Sequence, residues 1–125
     1  MLKLDVIQSD IEKWIIDFVE VKNPALDGWP PCPYARKARL ERDYEVRLGL
    51  MPMHDLVKIA REGLNGKSVV VIAYDPTDVT HEQLSWAIDT ANREFLLPKD
   101  LLALEDHPDD VEIVNGISMN QGTYR

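Results

Sequence analysis

The stretch from Tyr44 to Tyr74 leaves this chain few folds to choose from. "YEVRLGL" alternates, with Tyr44, Val46, Leu48 and Leu50 on one face, the period of a half-buried strand. "MHDLVKIAREG" has the spacing of an amphipathic helix ending near Gly63, and Asn65-Gly66 is a turn. "SVVVIAY", Ser68 to Tyr74, is apolar on both faces, which predicts a central strand. Strand, helix and strand in that order make a βαβ unit, with parallel strands and a right-handed crossover.

The flanks add helices. Ser9 and Glu12 have capping-box spacing, and Ile11, Trp14, Ile15, Phe18 and Val19 then fall on one helical stripe, so a helix is expected from about residue 9 to about residue 20. Leu2, Leu4 and Val6 alternate before it, as in a short leading strand. Four prolines and a glycine between Asn23 and Pro33 predict irregular chain. Thr80 and Gln83 repeat the capping-box spacing, followed by a stripe of Leu84, Ala87, Ile88, Ala91 and Phe95. Pro98 should open a second short helix through "KDLLALE", and "VEIV" and "ISMNQGTYR" read as weak strands around Asn115-Gly116. The expected class is α+β: a small mixed sheet containing the βαβ unit, covered by amphipathic helices, with a ferredoxin-like arrangement as one that fits. Trp14, Phe18, Val70 and Ile72 are the expected core residues.

At 125 residues the expectation is one domain, 1–125, with a core of its own. The net charge of −8 argues against nucleic acid and against anionic lipid, both of which attract basic surfaces. No run of apolar residues is long enough to span a bilayer, and "MLKLDVIQSD" is too short and acidic for a secretion signal. One cysteine forms no internal disulfide, which suits a reducing cytoplasm. Homo-oligomerisation is compatible with all of this.

Chemistry gathers in "WPPCPYARKARL", Trp29 to Leu40, around that cysteine. If Pro33 opens a helix, Cys32 sits near free backbone N–H groups, with Arg36, Lys37, Arg39 and Arg42 close behind. Such a setting favours the thiolate, which can act as nucleophile, redox centre or metal ligand. The opposite reading is equally physical. Cysteine is among the most buried residue types, and Trp29, Pro30, Pro31 and Tyr34 could pack it into an inert corner.

A second cluster, "LEDHPDD", groups His107 with Glu105, Asp106, Asp109 and Asp110. A histidine among carboxylates can ligate metal or serve as a base, and an acidic turn stopped by Pro108 explains the same residues. His107 with Cys32 would make a base–nucleophile pair or half of a metal site, with Asp109 or Asp110 completing it, although no recognised metal spacing is present. His54 and His81 fall in first helical turns and are expected to be exposed. "GLNGKS" lacks phosphate-loop spacing, and its context, helix then strand, is reversed.

Two resemblances attach to these residues. Cys32, Pro33 and Tyr34 resemble the active-site turn of glutaredoxins, with Ala35 where dithiol forms carry the resolving cysteine. That likeness covers the turn alone, because a proline-rich loop precedes Cys32 where that fold has a strand. Over a longer span the chain resembles the bacterial domain-of-unknown-function 1415 family. The resemblance rests on Trp14, then Cys32, Pro33, Tyr34 and Ala35, then "SVVVIAYDP", the helix from Thr80, and His107-Pro108. Tyr34 replaces a phenylalanine of the family's motif, and the resemblance implies no established activity.

Two function classes follow. In the first, Cys32 is a thiolate centre for thiol, redox or metal-ligand chemistry and His107 its base or ligand. Arg36 and Lys37 steady the thiolate or hold a small anionic ligand, between Trp29 and Tyr34. The basic run and the acidic run would then pack as the walls of a pocket. In the second, the chain is a non-enzymatic interaction module or subunit, with Trp29 and the proline run as contacts for a protein partner. No residue pattern names a cofactor.

Overall fold

The structure, a computed structural model, describes residues 3–105 and the backbone pairing of Ile113–Val114 with Ile117–Ser118. The elements are α1 (Leu4–Trp14), α2 (Ala35–Leu40), β1 (Tyr44–Leu48), α3 (Pro52–Glu62), β2 (Val69–Ala73), α4 (His81–Ala91), β3 (Ile113–Val114) and β4 (Ile117–Ser118). The class is α+β, and its centre is the expected βαβ unit. β1 and β2 pair in parallel, Tyr44 with Val69 through Leu48 with Ala73, and α3 connects them. Asp43 clamps the entry to both strands, because its carboxylate accepts the Ser68 N–H at 3.0 Å and the Ser68 hydroxyl.

Among the described residues this sheet has two strands, so β2 is flanked there by β1 alone and not on both sides as a central strand would be. β3 and β4 pair antiparallel with each other, Ile113 with Ser118 and Val114 with Ile117, instead of extending it into one mixed sheet. The four-stranded sheet of a ferredoxin-like arrangement is not formed among the described residues.

Helices cover both faces of β1–β2. On one, Tyr44, Val46, Val71 and Ala73 pack with Ile7, Ile11 and Ile15. On the other, Val70 and Ile72 pack toward Ile59, Ala60, Ala91 and Leu96, which bring in α3, α4 and the turn after α4. The expected core residues Trp14, Phe18, Val70 and Ile72 are half-buried, and the buried positions are these neighbours instead.

α1 starts at Leu4, so Leu4 and Val6 are helical and not part of a leading strand, Leu2 lies outside the described residues, and Ser9 lies inside the helix instead of capping it. Leu4, Ile7 and Ile11 extend the helical stripe backwards, and burying Ile7 and Ile11 on the sheet outweighs the short alternation that Leu4 and Val6 suggest. After Trp14 the chain widens into a π turn, Ile15–Val19, closed by Glu20 N–H on Ile15 O at 3.0 Å.

α4 begins at the expected capping box. Thr80 Oγ1 accepts the Gln83 N–H at 3.1 Å, and Gln83 Oε1 accepts the Thr80 N–H at 3.0 Å. Its far end differs from the expected stripe. A π turn, Asn92–Leu96, inserts a residue, which rotates Phe95 outward to 38% exposure and turns Leu96 in to 1%. The helix expected at Pro98 is a single 3-10 turn, Leu97–Lys99, followed by a strap without regular structure over residues 101–105. Asn92 holds the strap, donating to Ala103 O at 2.9 Å and accepting the Ala103 N–H at 2.8 Å.

Candidate functional site

The proline-rich loop before Cys32 is folded back on itself. Asn23 N–H donates to Trp29 O at 3.1 Å, Asn23 Oδ1 caps a 3-10 turn (Pro24–Leu26), and Asp27 and Gly28 reverse the chain in left-handed conformations. The Cys32 N–H then donates to Val19 O at 3.1 Å, a carbonyl at the end of the first π turn. Cys32 is thereby fixed against the end of the first helical segment, half-buried, with a free thiol.

α2 opens later than expected. Pro33 lies in a turn closed by Ala35 N–H on Cys32 O at 3.2 Å, Tyr34 is the N-cap, and the helix runs Ala35–Leu40. Cys32 therefore precedes the cap, and the first free amides of α2 belong to residues further on. Trp29 and Tyr34, expected to flank the thiol, are 62% and 77% exposed, so neither closes a corner over it.

The four bases behind Cys32, three on α2 and Arg42 just beyond it, divide by what they meet. Arg39 turns toward Glu20, forming a two-pronged pair of Nε to Oε2 and Nη2 to Oε1, both 2.8 Å. The Arg39 bond, with help from the nearby Arg39 and Arg36 charges, holds the Glu20 carboxyl below the usual range. Arg42 sits in a left-handed conformation, and its carbonyl accepts Lys67 Nζ at 3.0 Å. Arg36 and Lys37 face outward and form no ion pair among the described residues. With Pro33, Leu40 and Glu41 they line an open hollow of about 380 Å³. Cys32 is beside this hollow in sequence but does not line it.

The Glu20–Arg39 pair sets an acid limit. A carboxyl held down in the folded state adds stability above its unfolded pKa of about 4.3, and that contribution is lost as pH falls through the folded value. Thermal midpoints measured from about pH 6 to about pH 3 should therefore fall less steeply for Glu20→Gln than for the parent chain. Parallel curves would mean that the pair adds nothing to folding.

His107, Asp106, Asp109 and Asp110 lie outside the described residues, as does any approach of His107 to Cys32. Glu105, the first acid of that segment, is held on α4 instead of by the bases of α2. Its carboxylate accepts the Ser85 hydroxyl at 2.7 Å, and His81 Nε2 lies 3.8 Å from it. His81 is consequently half-buried instead of exposed, while His54 is exposed as expected. Among the described residues no group of three or more His, Cys, Asp or Glu side chains could hold a metal ion. No described helix is long and apolar enough to cross a membrane.

The residue patterns gave no sign of a second polar constellation at the carboxyl ends of β1 and β2. Asp55 Oδ2 accepts the Tyr74 hydroxyl at 2.7 Å and the Leu50 N–H at 2.9 Å. Burial, then the bond and charge of Asp55, push the Tyr74 hydroxyl well above the ordinary tyrosine range. Both bonds tie chain to chain, so the group acts as a brace.

Comparison with family models, with curated proteins and with solved structures returns no match.

Proposed function

We propose that this chain binds a small anionic ligand on the outer face of α2, with Cys32 as a thiol at the margin of that site. The observation that carries the reading is the hollow at Pro33, Arg36, Lys37, Leu40 and Glu41, where two cations face solvent while the neighbouring Arg39 is spent on Glu20. A guanidinium and an ammonium one residue apart suit a carboxylate or phosphate, and Leu40, 61% exposed, offers an apolar contact beside them. Cys32 would act on what is held there as nucleophile or redox centre. His107 is the proposed base or ligand for that thiol.

The second reading, a non-enzymatic interaction module, is favoured by Trp29, Tyr34 and Leu40, three large side chains exposed between the proline-rich loop and the end of α2. Alkylation of the native chain by iodoacetamide separates the two. A functional thiolate should react readily near pH 6, and Arg36→Ala with Lys37→Ala should slow that reaction, less so at high salt. A thiol silent until denaturant is added, together with a Cys32→Ser variant destabilised by about 1–3 kcal/mol from a buried hydroxyl, would leave the interaction module standing.

A further inference from the structure

We propose, building on the anion site of α2, that its ligand is a small zwitterion: a carboxylate or phosphate joined by a short alkyl chain to an ammonium group. Arg36 and Lys37 take the anionic end, and Glu41 takes the cationic end.

A carboxylate in the wall of a site for a simple anion weakens binding by like-charge repulsion. Glu41 lines the hollow all the same. Helix physics does not account for its place there. Lys37 precedes Glu41 by four residues, the less favourable order for a helical ion pair, and the two form no ion pair among the described residues. Glu41 is also the C-cap of α2, the end of a helix where the backbone dipole disfavours negative charge. A cation on the ligand turns this carboxylate from a repulsive group into a contact.

The spacing fixes what kind of cation. Positions 33, 36, 37, 40 and 41 follow a helical stripe, so the wall of the hollow runs in order along the α2 axis. Arg36 and Lys37 form its middle, and Leu40 and Glu41 lie one turn further on, about 5.4 Å along the axis. About three methylene groups between a carboxylate and an ammonium cover that span. Their apolar stem then lies along Leu40, which is 61% exposed at the same end of the wall. At about 380 Å³ the hollow suits a molecule of this size.

Amide NMR of the full chain, titrated separately with γ-aminobutanoate, butanoate and inorganic phosphate, tests this. γ-Aminobutanoate should shift the α2 amides and bind the parent chain about threefold or more tighter than butanoate, the size of one solvent-exposed ion pair. Glu41→Gln keeps the shape of the wall, so it should erase that preference and tighten butanoate. The comparison of ligands on the parent chain decides even where the variant disturbs α2. Butanoate bound at α2 as tightly as γ-aminobutanoate would overturn the zwitterion and leave the anion site standing. A folded Glu41→Gln variant that keeps the parent's preference would do the same. α2 amides unmoved by all three ligands would overturn the anion site, and the zwitterion with it.

Discussion

Leu96→Ala should lower the free energy of unfolding by about 2–5 kcal/mol. Leu96 is 1% exposed and meets Ile59, Ala60 and Ala91, two of which are alanines with nothing to extend into a void. The cavity should therefore stay open and place the loss in the upper half of that range. Its partner experiment is Phe95→Ala, which removes a larger side chain that is 38% exposed. If the π turn sets the register, Phe95→Ala should cost less than Leu96→Ala despite the greater loss of atoms. Urea midpoints at unchanged slope measure both, and the reverse order would mean that the α-helical stripe continues unbroken through Phe95.

That comparison marks the boundary of what the residues reveal. The βαβ unit and the Thr80–Gln83 cap were legible because period and capping are local, fixed by side chains within a turn or two of one another. The π turns were not, since adding one residue to a turn leaves no trace in composition, only a shift in which neighbour points inward. The strap beyond Pro98 was missed for a tertiary reason. "KDLLALE" is a good helix former, but Asn92 gives Ala103 both of its backbone bonds, and alternation along the strap buries Leu101 and Ala103 more than Leu102 and Leu104. At the candidate site the outward cations were legible as a cluster. Their division was not, because Glu20, far away in sequence, decides that Arg39 turns inward while Arg36 and Lys37 stay at the hollow. The start of α2 was misplaced because Pro33 suits a turn as well as a first helical position.

Gly49→Ala should be the other severe substitution, for a steric reason instead of a conformational one. Gly49 follows β1, and its N–H donates to Ala73 O at 2.8 Å, extending the ladder by one rung. A methyl group built there would collide with the Tyr74 ring and stand 2.7 Å from Ile72 Cγ2. Neither neighbour can yield cheaply. Ile72 packs on the buried cluster, and the Tyr74 ring is held at its far end by the hydroxyl bond to Asp55. Overpacking of this kind costs about 1–3 kcal/mol, and losing the partly buried Tyr74–Asp55 hydrogen bond adds about 1 more. The tyrosine supplies a readout beyond stability. Its hydroxyl is held above the ordinary range in the folded chain, so it contributes stability that is complete below the unfolded value of about 10 and is lost as pH rises toward the folded value. Displacing the ring should bring the Tyr74 titration back toward the ordinary range and flatten the alkaline limb of stability, as Tyr74→Phe should also do. Absorbance titration of tyrosinate in Gly49→Ala, with Tyr74→Phe to assign the signal, measures this. An unchanged titration together with an unchanged midpoint would mean that the chain around Gly49 has room for a side chain, and that the brace between the two strand ends is looser than its bond lengths imply.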